Sequence, residues 1–185
     1  MPRRFLMRAS VLTLTFISTA PVSAQTASSI SISSSAHSSQ VEEFNRETRR
    51  LYDLKETAWA AGDAESIVTK FYSPDAISVG EGDPQTMIGR EAFRKAYQQY
   101  VKDVPKIRIE SVSSYVNGDA GWDWANFYSE PKPDKKSMYP PSPIRILFLF
   151  TKENGKWICK GDIFANGKFP ERGAALTAAP GSSSQ

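Results

Sequence analysis

Between Val41 and Ala61 the inward positions recur at spacings of three and four, with Phe44, Thr48, Leu51, Tyr52, Lys55, Ala58 and Trp59 on one stripe. That period predicts an amphipathic helix. Gly62 closes it, because glycine takes the left-handed conformation that ends a helix at little cost. Asp63 then caps a second, short helix, with Glu65 in its first turn and Ile67, Val68 and Phe71 on its apolar side. Pro74-Asp75 reads as a turn, "AISV" as a short strand, and "GEGDPQT" as a loop. From Gly89 a third helix carries Phe93, Ala96, Tyr97, Tyr100 and Val101 on its stripe.

Beyond Lys106 the period falls to two. "KIRIESVSSYV" alternates and slips phase between Glu110 and Val112, which predicts a bulge in a long strand. Asn117-Gly118-Asp119 is a tight turn. In the next strand Trp122, Trp124, Asn126 and Tyr128 share one face, and Asp123, Ala125 and Phe127 the other. Five prolines between positions 131 and 143 mark a long loop, read as a stiff connector more than as a lid. "IRILFLFTK", the turn "ENGK" and "WICKGDIFA" complete a hairpin. Three helices ahead of an antiparallel meander give an α+β layout, in which a bent sheet covers a helix and leaves a hollow between them.

The ends of the chain read differently. Residues 1–24 combine Arg3, Arg4 and Arg8, an apolar run from Val11 to about Val22, and the small residues Val22-Ser23-Ala24. That is the pattern of a cleaved signal peptide, and the run is short of the ~20 apolar residues of a membrane span. A periplasmic or secreted destination is expected, with no membrane association after cleavage. Residues 25–40 are Ser-rich and predict a disordered linker, residues 41–169 one domain, and residues 170–185 a disordered tail.

Removing the signal alters the charge. The chain has 23 Lys+Arg and 20 Asp+Glu, and three of the basic residues lie in the signal, so the remainder is balanced at 20 against 20. No basic stripe is left to favour nucleic acid. The only histidine, His37, lies in the Ser-rich segment, so the domain offers no imidazole to a Ser-His-Asp site or to a metal. The only cysteine, Cys159, sits in an apolar strand pattern and reads as packing.

Three motifs carry a resemblance: "WAAGDAESIVTKFYSPDAISV", "MIGREAFRKAY" and "RILFLFTKENGKWICKGDIF". In this order they resemble the cone-shaped α+β fold shared by nuclear transport factor 2, ketosteroid isomerase, scytalone dehydratase and the SnoaL-like polyketide cyclases. The resemblance implies N-terminal helices packed in a curved, mostly antiparallel sheet, and it implies no single activity, because this fold hosts isomerases, dehydratases, cyclases, lyases and binding domains. Aligned with ketosteroid isomerase, the position of the general-base Asp falls near Gly80, with Glu81 and Asp83 just beyond. The first oxyanion residue, a Tyr, falls at about Lys55 and the second, a protonated Asp, near Leu147. None of the three is kept, so steroid isomerisation by that mechanism is not expected.

By the same alignment the cavity face carries Arg145, Leu147 and Leu149 on one strand, Lys160, Asp162 and Phe164 on the next, and Trp122, Trp124, Asn126 and Tyr128 on the one before. Tyr52, Trp59 and Tyr97 look into the same space. An aromatic cup with a few charged groups is the general form of a small-molecule site. Asp162 is the leading catalytic candidate, as a general acid or base if desolvated, or as a fixed anion if Arg145 or Lys160 pairs with it. A plain cross-strand salt bridge is the alternative. Asp83, on the rim loop, is the second candidate. Tyr52, Trp122, Trp124, Asn126, Tyr128, Arg145, Lys160 and Phe164 are the expected substrate contacts.

Two functions compete. One is a SnoaL-like isomerase, dehydratase or lyase that moves protons on an aromatic or polycyclic substrate and needs neither cofactor nor metal. The other is a non-catalytic module that binds a hydrophobic ligand. Family members commonly dimerise through the sheet, and the apolar phase Ile146, Phe148 and Phe150 is the expected outward face of a homodimer.

Overall fold

A computed structural model describes residues 26–82 and 86–170. The signal segment, the C-terminal tail and Asp83 therefore lie outside the described residues. Helix α1 spans Thr26–Ala60. Residues 26–40, expected as a disordered linker, are part of this helix. Phe44, Thr48, Tyr52, Lys55, Ala58 and Trp59 are buried along one side of α1, as the period predicts. Gly62 takes φ +70° after the helix. Asp63 accepts a hydrogen bond from the Ser66 N–H at 2.9 Å and caps helix α2, Ala64–Ser66, which continues as one π-turn over Ile67–Phe71.

Strands β1 (Tyr72–Gly80), β2 (Met87–Ile88), β3 (Lys106–Asn117), β4 (Ala120–Glu130), β5 (Ile144–Glu153) and β6 (Lys156–Asn166) form one curved sheet in the order β2-β1-β6-β5-β4-β3. Helix α3, Gly89–Asp103, connects β2 to β3. Strand β1 runs parallel to β6 and every other neighbour is antiparallel. Pro74 and Asp75, expected as a turn, lie inside β1 where its register shifts between Tyr72 and Ile77. A proline has no N–H to give the ladder and is accommodated at such an irregularity. The expected bulge in β3 falls between Ser111 and Ser113.

Strand β3 is an edge, and α1 covers part of it. Arg49 Nη1 donates to the Ile109 carbonyl at 2.7 Å, and Glu56 accepts the Ile109 N–H at 2.7 Å. The same two side chains pair with each other at 2.9 Å. The helix thereby satisfies backbone groups that an edge strand would leave open to another chain.

The inner face of the sheet carries Asp123, Ala125 and Phe127 from β4, Ile146, Phe148 and Phe150 from β5, and Trp157 and Cys159 from β6, all buried. The alternation is as expected but its sense is reversed on β4 and β5, and a single residue on β6 accounts for this. Continuing the hairpin register from Glu153↔Lys156 without interruption would set Asp162 opposite Leu147. Instead Phe150 pairs with Cys159 and Leu149 with Gly161, so Lys160 is an extra residue and Asp162 stands opposite Phe148. Before this bulge Trp157 and Cys159 point inward, and after it Asp162 and Phe164 do.

Gly161 makes the bulge possible. It has φ +158°, and a Cβ there would stand 2.1 Å from the Ile77 carbonyl oxygen of β1. The neighbour is backbone and cannot rotate away. Gly161→Ala should therefore cost about 3 kcal/mol, near the upper end of overpacking penalties. A urea unfolding curve with an unchanged midpoint would contradict the close β1–β6 approach.

Candidate active site

Between α1, α3 and the inner face of the sheet lies a cavity of about 460 Å³, a size ordinary for small-molecule sites. Its walls are Trp59, Tyr97, Tyr100, Phe127, Ile146 and Phe164, and its polar floor is Lys55, Ser78 and Asp162. Trp59 is set by an indole N–H bond to the Val104 carbonyl, which ties α1 to the end of α3. At the mouth, Ser137, Met138, Tyr139 and Pro140 of the proline-rich loop line the cavity. Tyr139 donates to Asp103 Oδ2 at 2.8 Å, and the Lys132 N–H donates to the Asp103 carbonyl at 2.8 Å. The loop read as a connector is thus also a wall of the entrance.

The floor is one hydrogen-bonded chain. Lys55 Nζ donates to the Tyr72 hydroxyl at 2.7 Å, and that hydroxyl donates to Asp162 Oδ2 at 2.5 Å. Since its only proton goes to the carboxylate, Tyr72 accepts from the Tyr97 hydroxyl at 2.8 Å. The Ser78 hydroxyl donates to Asp162 Oδ1. Burial, with the nearby Asp162 charge, pushes the Tyr72 and Tyr97 hydroxyls well above the usual tyrosine range, so both remain proton donors.

Lys55 is 1% exposed. Its ammonium lies 4.4 Å from the Phe71 ring centre, 4.7 Å from Tyr72, 5.1 Å from Phe148, 5.3 Å from Tyr97 and 5.8 Å from Phe127. Desolvation lowers its pKa to about 8, opposed by the attraction of Asp162. The rings supply partial compensation through their negative faces. Among the described residues no group of three or more His, Cys, Asp or Glu side chains converges to hold a metal.

The SnoaL-like domain family matches residues 48–159, which include α1 from Thr48, both tyrosines and the hairpin up to Cys159. This chain belongs to the SnoaL-like domain family. Solved structures similar to it include a ketosteroid isomerase-like protein from Erwinia carotovora atroseptica, at 16% identity and TM-score 0.53, covering 65% of this chain and 93% of that one. An NTF-2 like protein of unknown function from Shewanella oneidensis has 13% identity and TM-score 0.54 over 66% and 98% of the two chains. A putative calcium/calmodulin dependent protein kinase II association domain from Xanthomonas campestris has 21% identity and TM-score 0.54 over 66% and 86%. At these identities the likeness is one of fold. No functionally curated protein matches the chain.

Of the residues the sequence singled out, this SnoaL-like domain places Asp162 and Phe164 at the cavity, with Trp59 and Tyr97. Those on β4 and β5 lie elsewhere because of the reversed strand phase. Trp122 stacks on Tyr115 and Trp124 meets Phe169, both on the outer face. Tyr128 donates to Glu110 at 2.9 Å beneath the Arg108 guanidinium. Asn126 binds the Phe169 backbone, donating to its carbonyl at 3.3 Å and accepting its N–H at 2.8 Å. Arg145 donates to the Asn166 carbonyl at 2.7 Å. Lys160, the bulge residue, pairs outward with Asp75 at 2.6 Å and holds that carboxylate down at about 2. Neither Arg145 nor Lys160 pairs with Asp162.

Tyr52 is a wall of the core, its hydroxyl donating to the buried Asp123 at 2.7 Å. Leu147, aligned with the second oxyanion residue, is on the outer face of the sheet. Glu81 is a rim residue whose carboxylate accepts the Asn166 N–H at 2.7 Å. The sequence reading missed Tyr72 and Ser78. Lys55 was visible as a cation on the apolar stripe of α1, at the position aligned with an oxyanion tyrosine.

Because the folded pKa of Lys55 lies below its ordinary value of 10.5, the folded chain binds fewer protons than the unfolded one between about pH 8 and 10.5. Stability therefore rises with pH across that window, and below it the full cost of the buried cation is present. The stability of the native chain relative to Lys55→Met should climb as pH is raised from about 8 to 10.5. Chemical unfolding of both chains at several pH values measures this, and a pH-independent difference would contradict it.

Proposed function

We propose that this chain is a small-molecule enzyme of the isomerase, dehydratase or lyase type, exported by its N-terminal segment and working by general acid–base chemistry without a cofactor. The observation that carries the reading is Asp162: a carboxylate only 5% exposed, facing an aromatic cavity and gripped by two hydroxyls. A base in such a place is held at a fixed angle and is shielded from bulk water. An aromatic or polycyclic substrate would lie against Trp59, Tyr100 and Phe127 with its acidic C–H toward Asp162.

Proton abstraction by Asp162 leaves negative charge on the substrate. The Lys55 cation, one hydrogen-bonded hydroxyl away, offsets that charge in a site where water does not screen it. Tyr72 stands between the two and links the cation to the carboxylate through one hydroxyl, while the proton that Asp162 takes up is the one it returns to the substrate. Ser78 and Tyr97 keep the carboxylate and the Tyr72 hydroxyl from rotating.

A ligand can be found first by thermal-shift screening of aromatic and polycyclic compounds, since binding to the folded state alone raises Tm. With a turned-over compound in hand, Asp162→Asn should lower kcat by about 10²–10⁴-fold, the usual worth of a positioned base, and leave Kd within about threefold. Ligands that bind tightly without turnover, and bind Asp162→Asn equally well, would instead favour a non-catalytic binding domain.

A homodimer through the outer sheet face is proposed on a different observation. Ile146, Phe148 and Phe150 are buried, so they are not the patch. Ile77, Val79, Ile88, Leu149 and Ile163 are large aliphatic side chains exposed on that side, and contiguous exposed apolar surface favours a partner. Ile163→Asp should shift sedimentation from dimer to monomer; an unchanged sedimentation coefficient would place the interface elsewhere or remove it.

A further inference from the structure

Lys55 differs from an ordinary buried cation in how little holds it. An ammonium has three N–H donors. Here one is used, on the Tyr72 hydroxyl, and among the described residues no carboxylate pairs with the nitrogen directly. Around it stand the aromatic rings, with Asp162 and the neutral Cys159 thiol nearby but accepting no hydrogen bond from it. A charged group with unused donors is costly inside a protein, whereas a neutral amine loses less by burial. Lys55 lines the cavity together with Asp162 and Ser78, so a ligand there lies against its side chain.

We infer that Lys55 is a covalent nucleophile, and that the cavity takes an aromatic aldehyde or ketone whose carbonyl carbon condenses with the Lys55 amine to a protonated imine. The inference rests on the cavity being the reaction site proposed above and names its substrate class. In the condensation the nitrogen lone pair forms a C–N bond and the carbonyl oxygen takes up a proton. The C–O bond then breaks and the oxygen leaves as water. Overall the ammonium and the carbonyl compound give the iminium and one water, with no oxidant or reductant. Tyr72 and Asp162 are placed to carry the proton from nitrogen to the departing oxygen. The iminium is a stronger electron sink than the carbonyl, so it eases loss of a neighbouring C–H proton to Asp162.

The titratable groups facing the nitrogen are Tyr72 from β1, Tyr97 from α3, and Asp162 and Cys159 from β6. Burial raises the two hydroxyls, and the thiol beyond the usual cysteine range, so all three are neutral near pH 8. At pH 7.5 the neutral fraction of an amine with a pKa of about 8 exceeds that of a surface lysine by a factor on the order of 10².

The test is reductive trapping of the intact chain with benzaldehyde and sodium cyanoborohydride at pH 7.5, followed by peptide mapping. Lys55 should acquire a benzyl group at least tenfold faster than the α3 lysines Lys95 and Lys102. Modification of Lys55 no faster than of those residues, or only after unfolding in urea, overturns the inference. Lys55→Arg keeps the cation and should lose the fast site; if that variant does not fold, the rate ratio within the unaltered chain decides alone. Turnover that falls in Asp162→Asn with no adduct trapped at Lys55 overturns the covalent step and leaves proton transfer by Asp162 standing. An adduct trapped at Lys55, with turnover indifferent to Asp162→Asn, does the reverse.

Discussion

Lys55 and Asp162 bring opposite charges into the same aromatic interior and are joined through the Tyr72 hydroxyl instead of by a direct ion pair. Each needs the other, because removing one partner of a buried charge pair leaves the survivor uncompensated. Four elements must arrive together to hold them: α1 brings Lys55, β1 brings Tyr72 and Ser78, α3 brings Tyr97, and β6 brings Asp162. The aromatic side chains around Lys55 are at once the hydrophobic core and the electrostatic cage. Core packing and site chemistry are therefore the same contacts, and a change that repacks one disturbs the other. Such arrangements commonly trade stability for function.

The second constraint is geometric. Asp162 faces the cavity only because β6 carries one residue too many at Lys160 and a glycine at Gly161 that lets β1 approach. The bulge divides labour along one strand. Lys160 turns outward to hold Asp75, and Asp162 turns inward two residues later. Bulges re-aim side chains in this way beside functional sites in general.

The fold was legible where a period ran uninterrupted. The stripe of α1, the cap at Asp63, the α3 stripe and the β3 bulge could all be read, because each is a local pattern with a local cause. The cavity face was not, since a period-two strand says that two faces exist and not which one is covered. An unbulged hairpin set Leu147 beside Asp162 and so put Trp122, Trp124 and Tyr128 inside. Glycine at 161 was the available hint, as an isolated glycine in a strand often marks a bulge or a close backbone approach. Tyr72 was hidden for another reason. It lies before Pro74-Asp75, which reads as a turn, yet β1 continues through that irregularity. Lys55 stands in the sequence as a charge among apolar neighbours, and its chemistry depends on side chains far away in sequence.

The contact of Asn126 with Phe169 has a bearing on the other side of the sheet. A nearly fully buried amide satisfies both backbone groups of Phe169, whose ring then rests against the Trp124 indole. The chain thus upholsters the β4 flank with its own backbone, and bare aliphatic surface is left chiefly over β2, β1 and β6, at Ile88, Ile77, Val79 and Ile163. Stickiness on that face is lopsided: anything that adheres there is drawn toward the β2-β1-β6 end of the sheet and away from the tryptophans.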